Sequence, residues 1–408
     1  MEFIDITEEE YTKYWEKSDQ KSFLSSPKIS KLREKNNWET YYLGVKEKNK
    51  LIGAVMLLRH KRRFNKYEFY SPRGPLFDYH NKELFDFFMT NLKNFIKRNN
   101  GYVYRTDPYI LYKERDIDGN IKEDGFNNED IVHNLKEFGF KKVNIDDTEQ
   151  VVWMFSLPLE GKTEKEIYDE MKPNTRNYIR KTEKLDLEIK EVSYEELDEF
   201  FSIMEETGKR KGFDVRNLEY YQNMYKLYAK DEEAKWYITK LNLKKYVEKL
   251  KEEKLSKIES RNALSESKTN DGKRKSFNED INRLDKRIQE AEDIMKETGK
   301  DIINLSGSMF MLIKPEIIYL SSGNYDEYMK FNGQYLIQWE LIKYGIKNGF
   351  KKHNFYGIPA DINTHPKDYG IYEFKKGFNG VVEELIGEYE LPITWHYNLI
   401  KFIRKIKK

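Results

Sequence analysis

Strand-like and helix-like segments alternate through both halves of this 408-residue chain, which predicts an α/β (α+β) protein built from two units of similar make-up. The length supports two units, since one domain usually holds roughly 100–200 residues. From residue 241 to residue 300 the alternation stops. That stretch is dense in Lys, Glu, Arg and Asp, and it predicts an antiparallel coiled-coil helical hairpin inserted into the second unit. The expected division is a first domain over 1–153 completed by about 380–408, a second over 154–240 and 301–379, and the hairpin over 241–300.

Each element has a local cause. Thr7-Glu-Glu-Glu10 is a capping box that opens a helix through about Ser18. Tyr41–Val45 and Leu51–Leu58 read as strands joined by a polar turn, and Tyr67–Tyr70 as a shorter strand. From Asn81 to Lys97, Leu84, Phe85, Phe88, Leu92 and Phe95 share one helical face. Tyr102–Thr106 is a strand that runs into a loop at Pro108, and Val151–Leu157 is another strand. Capping boxes recur at Thr163–Glu166 and Ser193–Glu196. Lys235–Lys240, Met309–Ile313, Ile317–Leu320 and His353–Tyr356 read as strands, and Gly333–Asn348 as a helix. In the charged stretch Ile281, Leu284, Ile288, Ala291 and Met295 recur at three-four spacing. Leu243, Val247, Leu250 and Ile258 repeat that seam, and the Ser- and Asn-rich residues 262–272 form the turn.

Composition excludes several classes. There is no cysteine, so disulfides, thiolate metal sites and cysteine nucleophiles are absent. His60, His80, His133, His353, His365 and His396 form no zinc-binding pattern, so no metal is expected. Lys and Arg total 73 against 71 acids, so the net charge of +2 gives no argument for DNA, and an anion site must come from local clustering. The N-terminus lacks an apolar signal segment and no run is long enough to span a bilayer, which predicts a cytoplasmic protein.

Four motifs carry candidate chemistry. Tyr70-Ser-Pro-Arg-Gly-Pro-Leu-Phe-Asp-Tyr79 is a rigid loop with Arg73 at its apex, suited to a carboxylate or phosphate. In Lys172-Pro-Asn-Thr-Arg-Asn-Tyr-Ile-Arg-Lys181, Lys172, Arg176, Arg180 and Lys181 lie on or near one side of a helix, whose start also favours anions; a solvated basic face explains the same charges equally well. Arg210-Lys-Gly-Phe-Asp-Val-Arg216, followed by Tyr220-Tyr221, interleaves cations with rings. The last group is Tyr319-Leu-Ser-Ser-Gly323, Gln338-Trp-Glu340, Phe355-Tyr-Gly-Ile358 and Tyr372-Glu-Phe-Lys-Lys-Gly-Phe378.

In this order, from about Phe23 to about Tyr397, the motifs resemble the FemABX family of peptidoglycan aminoacyltransferases. The resemblance implies two tandem GNAT-like domains and a cleft between or alongside them. It implies transfer of an amino acid from aminoacyl-tRNA to the side-chain amine of a peptidoglycan precursor's stem peptide, which builds the interpeptide bridge. The partners it implies are aminoacyl-tRNA and either lipid II or UDP-MurNAc-pentapeptide, with no further cofactor. Neither half holds the glycine-rich pyrophosphate loop of acyl-CoA enzymes. Carried over by residue, Phe374 and Lys375 match the Phe-Lys pair at the aminoacyl-tRNA end, where the lysine steadies the oxyanion or holds the tRNA terminus. Arg176 lies in the basic helix that grips precursor phosphates, and Arg33, or Lys31 two residues earlier, has the same duty. Asp107 matches an acidic position beside the acceptor, and Arg73 joins the pyrophosphate contacts. Tyr319 begins the counterpart of a Tyr-x-Gly-Gly/Ser stretch. The chain departs from the family at Ser25-Ser-Pro-Lys-Ile29, which lacks a Gln and a Trp.

The basic amphipathic segment Trp395–Lys408 suits either packing on the first domain or peripheral contact with the inner membrane leaflet. Two other readings remain at this stage: an acyl-CoA-dependent GNAT N-acyltransferase, and a non-catalytic RNA-binding or scaffold protein that uses the hairpin as its partner surface.

Overall fold

The computed structural model describes residues 1–360 and 366–407, with side chains through 360 and from 369 to 403; His365 falls outside them. The chain opens with β1 (Glu2–Asp5) and α1 (Glu8–Lys17). The Glu10 amide donates to the Thr7 hydroxyl at 3.1 Å and the Thr7 amide to the Glu10 carboxylate at 2.9 Å, which closes the capping box. Next comes α2 (Pro27–Glu34), started by a proline whose missing N–H costs nothing in a first turn. Strands β2 (Trp38–Glu47), β3 (Lys50–Lys61), β4 (Tyr67–Ser71) and β5 (Leu76–Phe77) lead to α3 (Lys82–Arg98). Leu84, Phe85, Phe88, Leu92 and Ile96 of α3 are buried, while Phe95 is only half-buried. Then follow β6 (Gly101–Thr106), β7 (Leu111–Glu114), α4 (Glu129–Phe138), β8 (Lys141–Lys142) and β9 (Trp153–Pro158).

The second half runs α5 (Glu164–Glu170), α6 (Pro173–Lys184), β10 (Glu188–Glu191), α7 (Leu197–Lys211), α8 (Leu218–Tyr228) and β11 (Ala234–Asn242). The hairpin is α9 (Leu243–Asn262) and α10 (Asp271–Thr298). Its seam packs Val247 and Leu250 with Leu284, Ile288 and Ala291, and Lys251 pairs with Glu292 across it at 2.8 Å. The chain closes with β12 (Ile302–Ile313), β13 (Glu316–Asn324), α11 (Gly333–Lys347), β14 (Lys352–Gly357), α12 (Pro366–Lys376), β15 (Val381–Leu385), β16 (Tyr389–Pro392) and α13 (His396–Lys407).

Two mixed sheets result, as expected for the tandem arrangement. The first has the order β1-β2-β3-β4-β6-β16-β8, with β5 on β3; the second is β10-β11-β12-β13-β14-β9-β15-β7. Each contains one parallel pair, β4 with β6 and β13 with β14. Ligand sites favour the carboxyl ends of such strands.

The expected domain limits are crossed. Strand β7, from the first segment, and β15, expected in the first domain, both lie in the second sheet; only β16 and α13 return to the first. Pairing explains the exchange, because β15 satisfies the backbone edge of β9 that would otherwise lie open, with Val382 opposite Phe155. The units are also joined by a shared apolar core. Tyr11, Trp15, Phe23 and Ile29 of the first pack in one cluster with Phe200, Tyr221, Trp236 and Met309 of the second. A buried apolar junction of this kind resists hinge motion.

Candidate active site

Lys375 occupies the last turn of α12. The turn that follows is fixed by close approach. A Cβ on Gly377 would stand 2.2 Å from the Thr175 hydroxyl, and the Gly377 carbonyl accepts from the Lys172 amide at 2.9 Å, so α6 docks its first turn there. This holds the Lys375 side chain inward, 5 % exposed, and its ammonium donates to the Gly357 carbonyl at 2.6 Å. No carboxylate of the described residues pairs with it. Burial, and then the charge of Lys211, push it down to about 7, so it carries its proton only part of the time at neutral pH.

The Gly357 carbonyl is presented by a kink in β14. Tyr356 adopts a φ of 65°, its amide donates to the Asn354 side chain at 2.8 Å, and the strand register breaks between Asn354 and Gly357. The Tyr356 phenol is raised by burial and held back by the neighbouring Arg73 guanidinium, with which it shares a hydrogen bond. A line of contacts therefore joins Lys375 in the second unit to Arg73 in the first.

Arg73 and Asp107 require correction. The sequence places Arg73 at a loop apex facing an anion and Asp107 beside an acceptor. Arg73 is 2 % exposed and Asp107 3 %, and they pair with each other at 3.4 Å. The parallel register of β4 and β6, with Ser71 opposite Thr106, puts them side by side. Asp107 also accepts from the Tyr70 hydroxyl at 2.9 Å and the Arg73 amide at 3.0 Å, and Arg73 donates to the Val151 carbonyl at 2.8 Å. Burial raises the Asp107 carboxyl, against the pull of Arg73. Both side chains thus have partners inside the protein.

Arg33 lies on α2, half-buried, at the junction of the units. The helix is held there by Lys28, which pairs with Glu233 at 2.5 Å, and by a 2.7 Å hydrogen bond between the Ser26 and Tyr228 hydroxyls. Arg33 acts on the Tyr220 phenol, as does Arg216, whose guanidinium stands 5.5 Å from the ring centre. Burial and Tyr356 push that phenol up, and the two arginines pull it down. Arg216, Tyr220 and Tyr356 are thus brought to the sites of Arg33 and Arg73. The sequence alone assigns these residues no role; the interleaved cations and rings after Arg210 are the signal it holds.

Arg176 is not brought to that group. Its guanidinium donates to the Asp169 carbonyl at 2.5 Å and so ties α6 to α5. Phe374 packs edge-on against Tyr335 at 4.9 Å, beside Lys375. Tyr319 is buried on Phe310 and donates to Gln334 at 3.2 Å, inside the second core.

A family model described as the FemAB family matches residues 6–405. Aminoacyltransferase FemA of Staphylococcus epidermidis is 30 % identical over 426 residues, with 100 % of both chains covered. Aminoacyltransferase FemB of the same species is 29 % identical, again with 100 % of both chains covered. FemA of Staphylococcus aureus is 28 % identical over 97 % of this chain and 96 % of its own. The crystal structure of FemX superposes with a TM-score of 0.75 at 24 % identity, covering 99 % of this chain and 100 % of that one, which is a likeness of fold. Matched over nearly its whole length, the chain belongs to the FemAB family.

Proposed function

We propose that this protein is an aminoacyltransferase that adds an amino acid to the stem-peptide side-chain amine of a peptidoglycan precursor, with aminoacyl-tRNA as donor and lipid II or UDP-MurNAc-pentapeptide as acceptor. The observation that carries the reading is the buried Lys375, which pairs with no carboxylate of the described residues, in a chain whose relatives are named aminoacyltransferases. Those names favour it over an acyl-CoA enzyme and over a non-catalytic RNA scaffold.

The ester of aminoacyl-tRNA is already activated. The acceptor amine attacks its carbonyl, a tetrahedral oxyanion forms, and the ribose hydroxyl leaves with the proton that the amine gives up. Lys375, in its charged form, exchanges the Gly357 carbonyl for the oxyanion; loss of one such donor costs about 2.7–4 kcal/mol. Arg33, with Arg216, binds the pyrophosphate of the precursor through charge-assisted hydrogen bonds. Arg176 serves that end only by releasing the Asp169 carbonyl. Asp107 and Arg73 act through Tyr356 and position the β14 kink rather than touch the reacting atoms. Phe374 and Tyr319 shape the wall behind Lys375.

The test offers a panel of charged tRNAs with each acceptor and identifies products by mass. A precursor heavier by one amino-acid residue is expected. Absence of product with every tRNA, beside transfer from an acyl-CoA, would sink the reading.

A further inference from the structure

One end of the first sheet, opposite the end that carries Asp107, presents a surface that the transfer chemistry leaves unused. Three pieces meet there. Tyr67 lies opposite Gly101, and the Tyr67 amide donates to the Asn100 carbonyl at 3.1 Å, so the turn between β3 and β4 stands beside the C-terminus of α3. Helix α13 packs on the same end, where Tyr397 and Ile400 bury against Tyr102 and Val103.

Large rings point outward on these pieces: Phe64 is 55 % exposed, Trp395 69 % and Phe402 63 %. Phe64 is held out with a φ of 58°, a conformation that bulky residues rarely adopt. Trp395 in the turn before α13, half-exposed Leu399 and Phe402 follow at four-three spacing, a second apolar stripe beside the one already covered. Lys61, Arg63, Lys66, Lys97 and Arg98 lie on the same two turns, and none pairs with a carboxylate of the described residues. The acids nearby are engaged: Glu68 by Arg62 and Arg105, and Glu390 by Lys401. The sequence adds Arg404, Lys405, Lys407 and Lys408.

We infer that this end of the first domain docks on an anionic phospholipid bilayer. Aromatic rings settle at the headgroup level while flanking cations meet the anionic lipid, and neither signal alone gives firm attachment. An RNA strand would call for rings along a cationic groove; here the rings cap the end of a sheet. No helix among the described residues is long and apolar enough to cross a membrane, so the contact is peripheral. The inference does not depend on the transfer reaction.

Sedimentation of the full chain with vesicles tests it. Wild-type protein should pellet with vesicles of phosphatidylcholine mixed with phosphatidylglycerol, stay in solution with phosphatidylcholine alone, and bind less as salt rises. Two triple variants, Arg63→Glu/Lys97→Glu/Arg98→Glu and Phe64→Ser/Trp395→Ser/Phe402→Ser, should each lower partitioning by about tenfold or more. Both should melt as wild type does, because the altered side chains are exposed. Absence of binding to the mixed vesicles, or equal binding by folded variants, would overturn the inference. Displacement by bulk tRNA, with matching loss of tRNA affinity in the same variants, would assign the surface to RNA instead.

Discussion

The Lys375 ammonium donates to the Gly357 carbonyl at 2.6 Å, its one hydrogen bond among the described residues, while the charge of Lys211 opposes it. A buried lysine that pairs with no carboxylate of the described residues lowers stability while it is charged, a cost that fits a chemical role. Lys375→Met should abolish the cost and the activity together. Transfer should fall by roughly 100- to 1,000-fold, in line with loss of one oxyanion donor. The melting temperature at neutral pH should rise rather than fall. Transfer near the wild-type rate would remove Lys375 from the mechanism.

The same group sets a pH dependence. Its folded value is about 7 against 10.5 when unfolded, so between those limits the unfolded chain binds more protons and stability rises with pH. The destabilisation is complete below about pH 7, on the order of 5 kcal/mol, and is gone above the unfolded value. Denaturant titrations from pH 6 to pH 10 should show this climb in wild type and its absence in Lys375→Met. Turnover at saturating acceptor should decline as pH rises through about 7, because the oxyanion needs the ammonium form. An alkaline limb unchanged in a weakly active Lys375→Arg variant would assign that ionisation elsewhere.

Asp107 and Arg73 should behave as one unit. Asp107→Asn leaves a buried guanidinium without its charge partner, a loss of about 3–5 kcal/mol. Arg73→Leu alone strands the carboxylate at similar cost. The double variant should recover part of the loss, which a double-mutant cycle reads as coupling. Additive losses would mean that the pair is not an energetic unit.

Local signals in the sequence were sufficient for some of this architecture and not for the rest. The hairpin was readable because Ile281, Leu284, Ile288 and Ala291 keep one helical face, and α3 because its buried face has the same period. The Thr7 and Thr163 boxes marked helix starts correctly. The Arg73–Asp107 pairing was hidden, because it arises from the parallel register of β4 and β6 and not from any local pattern. The meeting of Arg33 with Tyr220 crosses the unit junction, and its only trace in sequence was a weak basic-aromatic motif. The crossing of β7 and β15 into the second sheet is likewise a matter of which strand edge needs a partner.

The two arginines near Tyr220 should separate from Arg176 kinetically. Arg33→Ala and Arg216→Ala should each raise the acceptor KM by about tenfold or more while the donor KM stays put, since each removes a charge-assisted bond worth roughly 1.5–3 kcal/mol. Arg176 already spends its guanidinium on the Asp169 carbonyl. Arg176→Ala should therefore lower stability by about 1 kcal/mol and change the acceptor KM less than the other two. An equal rise in acceptor KM would show that the guanidinium leaves Asp169 when the precursor binds.

Gly377 should be intolerant of even one methyl group, and the reason lies in α6. The added Cβ would meet the Thr175 hydroxyl at 2.2 Å, and Thr175 is itself buried. Either α12 or the first turn of α6 must move, at about 1–3 kcal/mol. Lys375 sits two residues before the glycine, so the shift should pull its ammonium from the Gly357 carbonyl and reduce turnover beyond the stability loss. Thr175→Gly in the Gly377→Ala background opens the space and should restore both. Recovery of stability without recovery of turnover would show that the Gly377 turn does not aim Lys375.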